Sequence, residues 1–203
     1  MQTIYLIMGN QRSGTNILRE SLEFDENIAS YNESRGNLLF KNWYLRPQSE
    51  LLDAIKKINK NILLKPISEN KGKGIKEVLN IFQDYKTILI YIFRDPVNVY
   101  YSSAMKWGVG LQDFIKDWND RNQDLLDKYQ SIKDKCLIVN YEDLSKSKKY
   151  FEDLCRKINI KGKYNFRKDS SKGYEHLSEN VINIIKIETK EVLKKLNNVK
   201  SLF

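Results

Sequence analysis

The stretch MGNQRSGTN, residues 8–16, decides how this chain folds. It follows the apolar run Thr3–Met8 and leads into Ile17, Leu18 and Leu22, which is the pattern of a strand, a loop and a helix. Gly9 and Gly14 have the spacing of the phosphate-binding loop G-x-x-x-x-G-K-[ST]. Such a loop offers successive backbone N–H groups and a helix N-terminus to an anion. Thr15 and Asn16 stand where the lysine and the magnesium-binding hydroxyl would be, and the basic residue lies inside the loop as Arg12. The loop therefore supports phosphate or sulfate binding, with its cation inside and Asn16 a poor substitute for a metal-binding hydroxyl.

Outward from the loop, short apolar runs alternate with helical patterns, as in βαβ units. Strands are expected at 3–8, 62–65, 87–93 and 136–140. Ile88–Phe93 is apolar throughout, which suits a central strand covered on both faces. Helices are expected at 15–23, 110–130 and 177–197. The second buries Leu111, Phe114, Ile115, Trp118, Leu125, Leu126 and Tyr129 by their spacing. The last buries Val181, Ile184, Ile185, Val192 and Leu196, with Ser178 as its cap. Ser145–Lys149 reads as a solvated helix start. The fold class expected is α/β: one domain over 1–203, a three-layer P-loop-type parallel sheet with helices on both faces.

Bulk composition agrees with one folded domain. The 203 residues are 41% hydrophobic and 30% charged, which argues against disorder. A net charge of +9 fits either an anionic partner or a lysine-rich solvated surface. Cys136 and Cys155 lie in apolar contexts without C-x-x-C spacing and read as buried free thiols, suiting a reducing compartment. A single histidine and no cysteine cluster give no zinc site. The N-terminal apolar run is too short for a signal sequence or a membrane span, so a cytoplasmic enzyme is expected.

A second segment, YIFRDPVNVYYSSAMKW (residues 91–107), adds more cations. Arg94 ends the central strand, Pro96 suits the first turn of a helix, and Ser102 lies eight residues past Arg94. Ser102 and Lys106 share a helix face. The carboxyl edge of a parallel sheet is where ligands bind in this architecture. Arg94, Ser102 and Lys106 are thus placed to converge on a further phosphate, although each alone also has an ordinary structural role.

With both segments quoted, the chain resembles the sulfotransferases that use 3′-phosphoadenosine 5′-phosphosulfate (PAPS). That family's P-R/K-S-G-T-T loop is matched by Gln11, Arg12, Ser13, Gly14, Thr15 and Asn16, with Gln11 replacing the proline and Asn16 the second threonine. Its R-D-P-x-x-x-x-x-S element is intact from Arg94 to Ser102. Leu64–Pro66 is similar to its strand-end lysine segment, and Asn140–Leu144 to its Y-E-D-L turn.

The resemblance implies that the loop binds the 5′-phosphosulfate and the second element the 3′-phosphate, with PAP as product and no metal. Arg12 is then the first choice to stabilise the leaving phosphate. Lys65 is the second, its alternative being a strand-end lysine that reaches solvent. Tyr31–Arg35 is similar to the G-E-E-T-R element of the tyrosylprotein branch, which makes Glu33 the general base and Arg35 an active-site arginine. Outside the resemblance, Glu33 is a solvated or capping carboxylate. Tyr141 is either a core tyrosine or a neighbour of the adenine, and Lys172 a candidate for the 3′-phosphate. His176 reads as an ordinary residue before the last helix. The acceptor implied is a hydroxyl on a carbohydrate, peptide or small molecule. Two rivals stand beside this: a magnesium-dependent P-loop kinase for a nucleoside or small molecule, and a non-catalytic basic binding protein. No nucleic-acid-binding signature is found.

Overall fold

In the strand Thr3–Met8 (β1) every residue is buried, and alternate side chains feed two separate cores. Ile4, Leu6 and Met8 enter one; Tyr5 and Ile7 enter the other. The same alternation runs through Asn61–Lys65 (β5), Lys86–Phe93 (β6) and Cys136–Asn140 (β7). A strand that must be apolar on both faces belongs inside a layered parallel sheet. The computed structural model describes residues 2–33, 37–66, 74–166 and 175–201.

Five strands form that sheet in the order β2-β5-β1-β6-β7, all parallel, with β2 spanning Ile28–Asn32. The order changes direction around β1, which creates a crevice at the carboxyl ends of the strands. A two-residue-per-strand antiparallel hairpin, β3 (Phe40–Lys41) and β4 (Tyr44–Leu45), stands apart.

Helices cover both faces. Thr15–Leu22 (α1), Tyr141–Lys146 (α6) and Lys148–Ile158 (α7) pack on one side through Leu18, Leu22, Leu144, Phe151 and Leu154. Gln48–Lys56 (α2), Ile75–Ile81 (α3), Pro96–Trp107 (α4), Leu111–Ile132 (α5) and Glu179–Val199 (α8) cover the other. This is the expected three-layer α/β fold.

Local signals explain the boundaries. Asp95 caps α4 by accepting from the N–H groups of Val97 (2.9 Å) and Asn98 (3.2 Å), with Pro96 in the first turn. Ser178 caps α8 as expected, accepting from Val181 N. Within Ser145–Lys149 the solvated helix start holds for Lys148 and Lys149, exposed at the start of α7, and differs at Ser145. Ser145 is buried inside α6, its hydroxyl donating to Glu142 O (3.0 Å), and Ser147 caps α7 by accepting from Tyr150 N (3.1 Å). After α8 the chain turns back along β7. Ser201 N donates to Ile138 O (2.7 Å), Ile138 N to Ser201 Oγ (3.1 Å), and the Tyr150 hydroxyl to Ser201 O (2.9 Å). Among the described residues, no helix is long and apolar enough to cross a membrane.

Candidate active site

The loop between β1 and α1 is pinned before it is decorated. Buried Ser13 holds its hydroxyl between the carbonyls of Asn10 (2.5 Å) and Ile92 (3.1 Å), tying the loop to the end of β6. Asn10 is fixed from the other side of the sheet. The Tyr91 hydroxyl donates to Asn122 Oδ1 (3.0 Å), and Asn122 Nδ2 donates to Asn10 Oδ1 (2.8 Å) and Trp118 O (2.7 Å). Gly14, the residue before α1, has φ +99°, and a Cβ there would stand 2.3 Å from Tyr141 Cδ2. Only glycine meets both demands. Among the described residues no side chain caps α1 and no acidic residue sits in its first turn, so its positive end is free to take an anion.

Arg12 takes a left-handed backbone, φ +67°. Its Nε donates to Ser102 Oγ at 2.7 Å, and its guanidinium lies 5.6 Å from the centre of the Trp107 ring. The loop and α4 therefore meet through these side chains.

Arg94 leaves the end of β6, 8% exposed. Its guanidinium lies over the Tyr141 ring at 4.5 Å, its Nη1 donates to Arg12 O (3.3 Å), and its Nε is 3.9 Å from Glu142. Glu142 in turn accepts from Asp95 N at 3.2 and 3.3 Å. Burial lowers the Arg94 pKa, while Tyr141 and Glu142 oppose it; an arginine keeps its charge regardless. Burial likewise raises that of Glu142, against the hydrogen bonds from the backbone.

Glu33 follows β2, and Lys65 ends β5 directly opposite Asn32. Their side chains form a hydrogen-bonded ion pair. Lys65 is 5% exposed, so it does not reach solvent as a strand-end lysine would. Burial pulls its pKa below the usual lysine value, and Glu33 pushes back. Glu33 Oε1 takes the ammonium, while Oε2 is buried without a hydrogen-bond partner among the described residues.

These groups share one cavity of about 520 Å³. Gln11, Arg12, Gly14, Thr15, Asn16, Glu33, Lys65, Arg94, Lys106 and Tyr141 line it. Two expected ligand residues do not. Ser13 faces inward to hold the loop, and Ser102 stands behind Arg12 as its hydrogen-bond acceptor. Lys106 lies beside Trp107, 5.2 Å from its ring centre. His176 is exposed, its ring 6.1 Å from that of Tyr101, and it does not line the cavity. Arg35 and Lys172 lie outside the described residues. Sequence reasoning missed Trp43 and Trp107, which also line the cavity, and the Tyr91–Asn122–Asn10 chain. Trp107 closes the quoted second segment, but nothing in its spacing sets it apart from a core tryptophan. Among the described residues no group of three or more His, Cys, Asp or Glu is placed to hold a metal ion.

No protein family matches the chain, and no curated protein does. Solved structures do. A sulfotransferase from Alicyclobacillus acidocaldarius superposes with a TM-score of 0.67 at 12% identity, covering 100% of this chain and 98% of its own. Mouse sulfotransferase SULT7A1 complexed with PAP gives 0.66 at 14%, covering 97% and 87%. The sulfotransferase domain of the Synechococcus PCC 7002 olefin synthase gives 0.63 at 16%, covering 100% and 96%. At these identities the likeness is one of fold.

Proposed function

We propose that this chain is a PAPS-dependent sulfotransferase that moves a sulfuryl group in line to a hydroxyl acceptor. The meeting of two distant basic segments carries the reading: Arg12 on the loop bonds Ser102 at 2.7 Å, and Arg94 bonds the Arg12 carbonyl at 3.3 Å. The cavity fits a bisphosphorylated adenosine. Arg12, Lys65, Arg94 and Lys106 line it, α1 offers an uncapped start, and 520 Å³ falls within the ~300–1,000 Å³ of small-ligand sites.

PAPS supplies the sulfuryl group. Glu33 Oε2, buried and without a partner among the described residues, is the base that takes the acceptor's proton. Lys65 holds the other carboxylate oxygen and so fixes the carboxylate's orientation. Arg12 and Lys65 stabilise the negative charge that grows on the departing phosphate. Arg94 and Lys106 hold the 3′-phosphate, with Tyr141 beside the adenine. The likeness of Tyr31–Arg35 to the tyrosylprotein branch supports the choice of Glu33, and the acceptor is a carbohydrate, peptide or small-molecule hydroxyl. A cytoplasmic setting suits Cys136 and Cys155, free, buried and with thiol pKa values pushed up to about 12 and about 11. A kinase is the lesser reading, since Asn16 occupies the place of the magnesium-binding hydroxyl.

Calorimetry with PAP and transfer from radiolabelled PAPS in EDTA test this reading. PAP binding and metal-independent transfer are expected. No PAP binding, or magnesium-dependent ATP turnover, would overturn it.

A further inference from the structure

Two described residues hold a left-handed backbone without being glycine or asparagine: Arg12 (φ +67°) and Trp43 (φ +74°). Both line the same cavity. Arg12 owes its conformation to the phosphate-binding loop. Trp43 has no such reason. It is the second residue of the two-residue turn joining β3 to β4, after Asn42 at φ +50°. Successive positive φ values in a two-residue hairpin make a type I′ turn, whose second position favours glycine. A bulky residue there is strained, and strain of this kind persists at ligand-binding and catalytic positions.

Burial does not explain the tryptophan, because the residue is 47% exposed. The hairpin is anchored instead by Phe40 and Leu45, both buried. It is also tethered to the strand that carries the base. Asn37 Nδ2 donates to Asn32 O (2.6 Å), one residue before Glu33, while Asn37 Oδ1 accepts from Leu39 N (3.0 Å) and Phe40 N (2.9 Å). A rigid support thus fixes an aromatic face in the same cavity as Glu33. The other cavity tryptophan, Trp107, already lies against Arg12 and Lys106.

Resting on the function proposed above, we infer that Trp43 is the acceptor platform. Its indole face receives the face of a ring, a planar aromatic one or the C–H face of a pyranose chair, whose hydroxyl reaches Glu33, and it discriminates against open-chain alcohols. The strained turn is what directs the indole into the cavity.

The test compares wild type, Trp43→Gly and Trp43→Phe with PAPS as donor and 4-nitrophenol, methyl β-glucoside and 1-butanol as acceptors. Glycine relieves the turn, so W43G is expected to fold with Tm unchanged or raised and to bind PAP as wild type does. Its KM for the ring acceptor should rise about tenfold, the size of a lost stacking contact. Its KM for butanol should not move, and W43F should recover most of the loss. Whichever ring compound wild type prefers identifies the ring type. An unchanged ring-acceptor KM in W43G, an equal loss on butanol, or a Tm lowered by more than about 4 °C, a clear loss of packing for a chain of this size, overturns the platform while PAPS-dependent transfer stands. A wild type that neither binds PAP nor transfers from PAPS overturns the reading of the site and this inference with it.

Discussion

Burial takes Lys65 out of water while Glu33 supplies the counter-charge, and burial is the larger effect on its pKa. The catalytic consequence has a sign. If the ammonium stabilises the leaving phosphate, activity falls as pH rises through the depressed Lys65 value, below the ordinary 10.5. Arginine stays charged across that range, so Lys65→Arg should move the alkaline limb of the pH–rate profile upward. Unfolding gives the lysine back its ordinary proton affinity. Between the depressed value and 10.5 the unfolded chain binds one proton more, so Lys65 makes stability rise with pH there. Glu33→Gln keeps the shape of the pair but cannot accept a proton at Oε2. PAP binding by calorimetry should be unchanged and kcat should drop about 10²–10⁴-fold; near-normal kcat would remove Glu33 as the base.

At the level of elements, the loop and the strands were the most legible parts. Periodicity and glycine spacing place β1, β5, β6, β7 and α1 to within a residue or so, because strands buried on both faces read as continuous apolar runs, and the residues missed, Asn61 and Lys86, are polar ones at strand starts. The β3–β4 hairpin was illegible: two residues per strand carry no period, and Asn42-Trp43 lacks the glycine that marks such a turn. Spacing places Ser13 and Ser102 among the ligand residues, but it does not give the direction in which a hydroxyl points. The ion pair between Glu33 and Lys65 depends on the β2–β5 register, which no local pattern reveals. One prediction belongs at this scale. Gly14→Ala forces a Cβ against Tyr141 at φ +99° and should cost roughly 1–3 kcal/mol, with about 2–4 °C of Tm per kcal/mol for a chain of this size. Because Tyr141 supports Arg94, PAP affinity should fall with it. Thermal melts and calorimetry on the variant check both effects.

Across the whole molecule, the two cores hold the sheet from either side, and the cavity opens where their strands end. The sheet has a cost at its margin. Both outward backbone groups of Ile138 are taken by Ser201, and Tyr150 clamps that contact from α7. Strand β7 is the last in the order, and an open ribbon at that position is a template on which a neighbouring chain can add a strand. With Ser201 in place, Ile138 offers no free backbone group to such a chain. Ser201→Pro removes both its N–H and its hydroxyl, leaving Ile138 bare. The variant should retain PAP binding yet form larger species by light scattering as concentration rises, where wild type keeps its size. Equal scattering from the two would mean that α8 and its neighbours already shield the margin.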